Sequence, residues 1–306
     1  MMSLLLLAVP AVLYVIVKKY RFKQLPKQTV DDFMKLVWNK DIKNPGVILH
    51  RGGNVDAPEN TLEAIKQAKE SGCCGVEIDI SFTKDGVGIL LHDDTVDRTT
   101  DGTGNLENFT LSQVQQLNAA AKHKKSKELG HCKIPTLEEG VDLCLKLNLL
   151  AFLDCKGNAK QTADLVCRLF QEKPELYKTA VVCSFFPQII YAVRSKDASI
   201  MTALTFRTHW ISHLGDGTPR FMGLTQLVVE VASSFLRIAH SYFLWYFFGT
   251  TFYLLNMDML SRDVFLQWKK RGIHCIPWTV NHPIMKNYCI EYLHCPIITD
   301  GLDTKL

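Results

Sequence analysis

The chain has 306 residues, 47% apolar and 22% charged, which fits two ordinary domains or one large α/β domain with a real core and excludes a disordered chain. A formal net charge of +4 is too small to indicate nucleic-acid binding without a concentrated basic patch. The ten cysteines, spread from Cys73 to Cys295, form no CxxC pair and no zinc spacing, which excludes a disulfide-built module and a zinc protein and leaves buried free thiols.

Met2–Val17 (MSLLLLAVPAVLYVIV) carries no charge and runs straight into the basic cluster Lys18-Lys19-Tyr20-Arg21-Phe22-Lys23. Its length falls short of the roughly 20 residues that cross hydrocarbon, and snorkelling of Lys18 and Lys19 extends it. A cleaved signal peptide competes with a retained anchor. It lacks the positive N-terminus and the small-x-small site such peptides carry. The expectation is an integral membrane protein, anchored over 1–23 and joined through a linker at 24–44 to a folded body over 45–306. Sidedness stays open. The basic flank argues for a cytosolic body, whereas Asn108-Phe109-Thr110 is a glycosylation sequon, usable only on the lumenal or outer side.

From Pro45 onward, β-branched runs alternate with helical patterns, the signature of βα units and a parallel sheet. Strands are expected at 46–50, 75–80, 149–155, 179–184 and 200–205, then at about 252–258, 273–279 and 296–299. A helix over 60–71 takes Asn60 as its N-cap candidate, and one over 136–148 opens on Thr136-Leu137-Glu138-Glu139, a capping box. The run 87–92 is separated from 75–82 by only Thr83-Lys84-Asp85-Gly86. A parallel crossover needs a dozen or more residues, so this is an antiparallel hairpin turning near Asp85-Gly86. Leaving it out of the count gives eight parallel strands, the number that closes a (β/α)8 TIM-type barrel.

In such a barrel the chemistry sits at the C-terminal ends of the strands. His50 ends the first strand. Glu77 and Asp79 lie two apart on the second, so strand alternation aims both the same way. Asp154 ends the next, Lys156 is two residues on, and His92 closes the hairpin. Two acids on a strand can simply face solvent. Here Val76, Ile78 and Ile80 occupy the other side, so helices covering that side leave the acids pointing inward. Buried carboxylates need cations, and three carboxylates suit Mg2+ or Ca2+ better than zinc. Arg51 and Lys156 beside a divalent ion form an arrangement for a phosphoryl group, with the two histidines as candidate acid and base. There is no P-loop, and Gly102-Thr103-Gly104 reads as a turn.

The chain resembles the glycerophosphodiester phosphodiesterases across nearly all of 45–306. The matching pieces are His50-Arg51-Gly52-Gly53, Ala57-Pro58-Glu59-Asn60-Thr61, Val76-Glu77-Ile78-Asp79 and Thr83-Lys84-Asp85-Gly86. They continue through His92-Asp93, Asp97-Arg98-Thr99-Thr100-Asp101-Gly102, Ile134-Pro135-Thr136-Leu137, Trp278-Thr279-Val280-Asn281 and Ile298-Thr299-Asp300. Each is weak alone; in this order they are specific, and the match is strongest for the membrane-anchored animal members. The resemblance implies metal ligands Glu77, Asp79 and Asp154, with Asp154 standing where many relatives have Glu. It implies His50 and His92 as the acid–base pair, Arg51 and Lys156 as phosphate contacts, and one divalent cation, Mg2+ ahead of Ca2+. It further implies hydrolysis of glycerophosphodiesters to sn-glycerol 3-phosphate and an alcohol. Membrane types are similar to lysophospholipase D enzymes, with glycerophosphoinositol, glycerophospho-N-acylethanolamines or lysophospholipids as substrates and the lipid bilayer as partner. The rivals are a phospholipase D or C acting on intact phospholipid, and a non-catalytic membrane adaptor. The adaptor is disfavoured because every expected position holds a competent side chain.

Between the fifth and sixth strands, 207–251 is longer than a barrel requires. Its first part starts at a strand's C-terminal end, so His209 and Trp210, with Trp278, are candidates for a substrate pocket. Residues 224–241 then read as an amphipathic helix with Gln226, Glu230, Ser233, Arg237 and Ser241 on one side and Leu224, Leu227, Val228, Val231, Phe235 and Ile238 filling the rest. It is expected either to pack as the barrel's fifth helix or, with the aromatic run 242–248, to lie in a membrane interface. A span at 242–255 is disfavoured because it would tear the last strands from the barrel.

Overall fold

The computed structural model describes residues 17–302. The expected anchor, Met2–Val17, lies outside the described residues except for Val17 itself. The strands are β1 (Asn44–His50), β2 (Cys73–Phe82), β3 (Gly88–Leu90), β4 (Leu150–Cys155), β5 (Ala180–Ser184), β6 (Thr202–Phe206), β7 (Phe252–Asn256), β8 (His274–Trp278) and β9 (Ile297–Thr299). They run side by side in the order β8-β7-β6-β5-β4-β2-β1-β9, every neighbouring pair parallel. β3 folds back antiparallel on β2, Ile80 opposite Leu90. Its turn is the expected one: Gly86 takes φ +80°, and the Thr83 hydroxyl accepts from the Val87 N–H at 3.0 Å. The ring closes between β8 and β9 without a full ladder. Val280 N–H donates to Ile298 O at 2.8 Å and the Cys295 thiol to Cys275 O at 2.9 Å. This is the expected TIM-type barrel, nearly closed.

Helices cover the outside. α1 (Lys27–Val37) precedes β1, and the crossovers include α2 (Leu62–Glu70), α3 (Leu137–Leu147), α4 (Ala159–Glu172), α5 (Pro187–Lys196), α6 (Gly223–Ala239) and α7 (Arg262–Lys270). The expected capping box starts α3: Thr136 Oγ1 accepts from Glu139 N–H, and Glu139 Oε2 accepts from Thr136 N–H. The cap of α2 differs from expectation. Thr61, not Asn60, accepts from Ala64 N–H, and Asn60 sits at φ 58° with its side chain turned elsewhere.

Strand alternation splits the core in two. Ala151, Leu153 and Cys155 of β4 face the helices, whereas Leu150 and Phe152 face the lumen with Ile48, Val181, Ala203, Leu254 and Ile276. Strand β2 comes so close to β4 that a Cβ on Gly75 would stand 2.5 Å from Leu150 O. The 24–44 stretch, expected as a linker, carries α1. Phe33 of α1 enters the lumen's lower end and meets Phe252 and Phe152 edge-on at 5.3 and 6.0 Å between centroids. Phe33 is thus the plug of the barrel, and Phe33→Ala costs about 3–5 kcal/mol through lost transfer energy and a cavity no neighbour can fill. Urea unfolding of the full chain in detergent measures this as a lower midpoint at unchanged slope.

The 207–251 insert holds the expected helix, and its more polar side faces the barrel. α6 continues through a π-helical stretch, His240–Leu244, and a last turn, Trp245–Phe248. Ser233, placed on the polar side, is buried against the body and donates to Ser212 Oγ at 3.1 Å, with His240 buried on the same side. The apolar positions Leu224 (76% exposed) and Phe235 (69%) point outward. The helix therefore does not pack as an ordinary fifth barrel helix. A span over 242–255 is excluded as well, because Phe252–Asn256 is β7 in mid-sheet.

Candidate active site

Above the last lumenal apolar layer, the same alternation places charged residues. Glu77 and Asp79 of β2 and Asp154 of β4 are all buried, and each offers an oxygen within 4.8 Å of the other two. Asp79 pairs across the sheet with Asp154, which fixes this closeness in the backbone register. Three carboxylates cannot share such a space in a low-dielectric lumen without positive charge. Lys156 supplies some, donating to Asp79 Oδ1 at 2.7 Å and to His92 O at 2.9 Å. Arg51 supplies more: its Nε stands 3.4 Å from Asp79 Oδ2 and its Nη1 donates to Glu59 Oε1 at 2.8 Å. Arg51 adopts φ 55°, an uncommon conformation for a non-glycine residue, and this aims its own N–H at Glu77 Oε2, 3.0 Å away.

The electrostatics follow from burial first. Burial, with Asp79 alongside, pushes the Glu77 carboxyl up to about 7. It also raises Asp154 well above its ordinary range, Lys156 opposing and Glu77 and Asp79 adding to the shift. Burial acts in the same direction on Asp79, but Lys156, His92 and Arg51 outweigh it and hold that carboxyl far below the usual range. Asp154 Oδ1 is buried without a hydrogen-bond partner. An orphaned carboxylate oxygen beside two other acids fits a hard divalent cation, which the three oxygens can hold.

The histidines flank this trio, His50 from the β1 side and His92 from the hairpin. Each is backed by a carboxylate. His50 Nδ1 is 2.6 Å from Asp300 Oδ1, and Asp300 is itself fixed by Asn281, whose Nδ2 donates to Oδ2 at 2.6 Å. His92 Nδ1 is 2.5 Å from Asp93 Oδ1, and Arg98 Nε donates to the other Asp93 oxygen at 2.5 Å. With Nδ1–H donated to carboxylate, Nε2 of each ring is left for substrate. For His50, burial works against the charged ring, but the Asp300 hydrogen bond and Glu77 overcome it and raise the imidazole above its ordinary value.

The expected residues thus converge: His50, Arg51, Glu77, Asp79, His92, Asp154 and Lys156 form one cluster at one end of the lumen. Trp210 and Trp278 also meet, through Phe185, whose ring lies 5.6 Å from Trp210 and 5.4 Å from Trp278. His209 does not join them; it is exposed, its ring edge-on to His213 at 5.4 Å. Sequence reasoning gave no role to Asp300, Asn281, Glu59, Arg98 or Phe185. Asp300 directly follows β9 at the catalytic end, so its position was a signal. Asn60 was misassigned as a cap. It brackets Asp79, its Oδ1 accepting from the Asp79 N–H at 3.0 Å and its Nδ2 donating to Oδ2 at 2.9 Å. Asn60→Ala frees that carboxylate and is expected to lower about 10–100-fold the affinity for a divalent cation that the trio could hold, as loss of such supporting bonds does at other metal sites; calorimetric titration with Mg2+ reads the change.

A buried acidic trio between two carboxylate-backed histidines has the groups to neutralise charge and move protons at a phosphodiester. The model of the glycerophosphoryl diester phosphodiesterase family matches residues 50–304, and the chain belongs to that family. It is 42% identical over 291 residues to glycerophosphodiester phosphodiesterase 1 of Mus musculus, covering 95% of this chain and 86% of the relative. It is 44% identical over 257 residues to the Homo sapiens protein of the same name, covering 83% and 77%. Among solved structures, a phosphodiesterase of Oleispira antarctica in complex with the product sn-glycerol-3-phosphate superposes with a TM-score of 0.64 at 19% identity, over 85% of this chain and 94% of that one. A glycerophosphodiester phosphodiesterase from Agrobacterium tumefaciens also gives 0.64 at 19% identity, over 83% and 95%. These two share the fold. The chain is a phosphoric diester hydrolase that acts on glycerophosphodiesters.

Proposed function

We propose that this hydrolase is divalent-cation-dependent and works at a membrane on lipid-derived glycerophosphodiesters. Its substrates are glycerophosphoinositol, glycerophospho-N-acylethanolamines and lysophospholipids, released as glycerol 3-phosphate or lysophosphatidate plus an alcohol. The observation that carries the reading is the acidic trio, with its orphaned Asp154 oxygen, set between two histidine–carboxylate pairs. Glu77, Asp79 and Asp154 would hold the cation, which when bound supplies charge neutralisation at the phosphoryl oxygens. Three carboxylates suit Mg2+, which keeps several waters and takes few protein ligands beside a substrate phosphate. Arg51 and Lys156 add positive charge where the transition state becomes more anionic. One imidazole takes, through Nε2, the proton of the attacking oxygen, either water itself or the substrate's neighbouring hydroxyl, whose cyclic phosphate water then opens, while the other gives a proton to the leaving alkoxide. Asp300 and Asp93 hold those rings in the tautomer the transfer requires.

The wall formed by Phe185, Trp210 and Trp278 is aromatic, with the buried Trp210 and Trp278 indole N–H groups unpartnered, and lies at the strand ends, which supports its use for the alcohol or acyl part of the substrate. The uncharged run Met2–Val17 with its basic flank supports a membrane anchor. Asn108 is exposed, which leaves the sequon open to modification on a lumenal or outer face; a deglycosidase mobility shift reads the side.

The test uses the purified full chain with glycerophosphoinositol, lysophospholipid micelles and intact phosphatidylcholine, before and after chelation. Glycerol 3-phosphate release from glycerophosphoinositol stops with EDTA and returns more fully with Mg2+ than with Ca2+. Turnover that survives chelation overturns the cation's role, and turnover confined to intact phospholipid overturns the substrate assignment.

A further inference from the structure

The facing of α6 has a use. At 100° per residue, Leu224, Leu227, Val231, Phe235 and Ile238 of α6 fall on one face. Ser233, Leu236 and His240, which meet the body, lie on the opposite side. Water thus faces the apolar line of an amphipathic helix while the more polar line faces the barrel, the reverse of a soluble protein's helix. From Gly223 to Phe248 the helix is long and apolar enough to cross a membrane, with 11% of its most apolar window buried. Crossing is ruled out by attachment. Contacts with the body run from Ser233 to Phe248, between β6 and β7, so the helix cannot leave the barrel's flank.

The end of the helix identifies what covers the stripe. Phe22 N–H donates to Phe247 O at 2.9 Å, the Arg21 guanidinium lies 4.5 Å from the Tyr246 ring, and buried Arg194 holds Lys23 O at 2.5 Å. Arg21, Phe22 and Lys23, which follow the uncharged run in the sequence, therefore lie where α6's continuation ends. That run carries no charge, and only Ser3 and Tyr14 bear polar side-chain atoms, so it offers water no polar face of any extent. It cannot shield the stripe and remain soluble. It needs an apolar medium, and the described residues that follow it, Arg21 and Phe22, meet the end of the helix that carries the stripe. Exposed Tyr20, Tyr242 and Tyr246, with Lys19, Arg21 and Arg271 among them, form the aromatic and basic fringe typical of a headgroup layer.

We propose that the outward stripe of α6 is a docking surface for a lipid bilayer, sunk to the headgroup–acyl boundary along the barrel's flank. The helix starts at the catalytic end, after β6, and finishes at the end plugged by Phe33. Docking lays the barrel on its side, with the mouth opening beside the headgroups rather than away from them. The inference rests on the reading of Met2–Val17 as an anchor, and its test separates the two.

All ten native cysteines are buried, so an introduced Val231→Cys carries the accessible thiol. Lys160→Cys, at a side chain 86% exposed on α4, is the reference. Each full-length variant is labelled with an environment-sensitive maleimide and reconstituted with phosphatidylcholine–phosphatidylglycerol vesicles containing a shallow spin-labelled lipid. The Val231 probe is expected to shift to the blue and to lose most of its emission to the spin label while resisting aqueous iodide; the Lys160 probe behaves oppositely. A protein that floats with the vesicles while its Val231 probe is quenched by iodide overturns the docking surface and leaves the anchor standing. A probe shielded from both quenchers, with Val231→Cys copies cross-linking through that thiol, overturns it in favour of a second copy. A protein that does not float with the vesicles overturns both readings.

Discussion

Replacing Glu77 by glutamine is expected to lower kcat/KM for glycerophosphoinositol by about 10³-fold or more, the equivalent of several kcal/mol of charge stabilisation at the phosphoryl oxygens. The substitution is nearly isosteric, and the amide oxygen still accepts the Arg51 N–H that Glu77 Oε2 accepts now. What it removes is one negative charge from three carboxylates whose oxygens lie within 4.8 Å of each other. The prediction therefore has a second signature, opposite in sign to ordinary damage. In EDTA and above pH 7, where the Glu77 carboxyl of the wild type ionises beside Asp79, the variant melts above wild type because that charge is absent. On adding Mg2+, wild type gains stability by mass action, about 2.7 kcal/mol at a hundredfold excess over Kd, while the variant stays where it was. Thermal melts with and without Mg2+ decide it. Lost activity with an unchanged response to Mg2+ shows that Glu77 does not grip the ion.

That site was legible in the sequence for a definite reason. Strand alternation is a period-two rule, so Glu77 and Asp79 on one side of β2, with Val76, Ile78 and Ile80 on the other, declared their direction before any contact was known. The hairpin was legible because four residues cannot make a parallel crossover. Other features depend on contacts the linear pattern does not encode. Asn60 carries a good capping side chain one residue before Thr61, and only the approach of β2 shows that Asp79 claims it. Asp300 and His50 are 250 residues apart and meet because β9 lies beside β1 when the barrel closes. α1 has too short a pattern to distinguish a plug from a linker until the lumen it fills exists. For α6 the periodicity is legible in the sequence, which leaves the facing open between the barrel and a membrane interface. A helix with apolar side chains on much of its surface can turn either side to the barrel, and the Ser233–Ser212 bond, beyond the reach of periodicity, marks the side it turned.

His50→Ala and His92→Ala are each expected to lower kcat about 10²–10⁴-fold, the range that a positioned proton donor or acceptor contributes. KM should change little, since Arg51, Lys156 and the aromatic wall are left in place. Asp300→Asn falls between wild type and His50→Ala, because the amide can still orient the ring but no longer stabilises its charged form. Geometry gives the two rings nearly symmetrical equipment, each with Nδ1 on a carboxylate, with His50 Nε2 additionally 3.9 Å from Glu77 Oε2. The leaving group breaks that symmetry. A glycerophosphodiester whose alcohol is p-nitrophenol departs without protonation, so the histidine acting as acid becomes dispensable for it while the base does not. One alanine variant should regain most of its rate on that substrate and the other should remain slow. If both recover together, neither ring is the base; if neither recovers, proton donation to the leaving alkoxide is not what the second imidazole contributes.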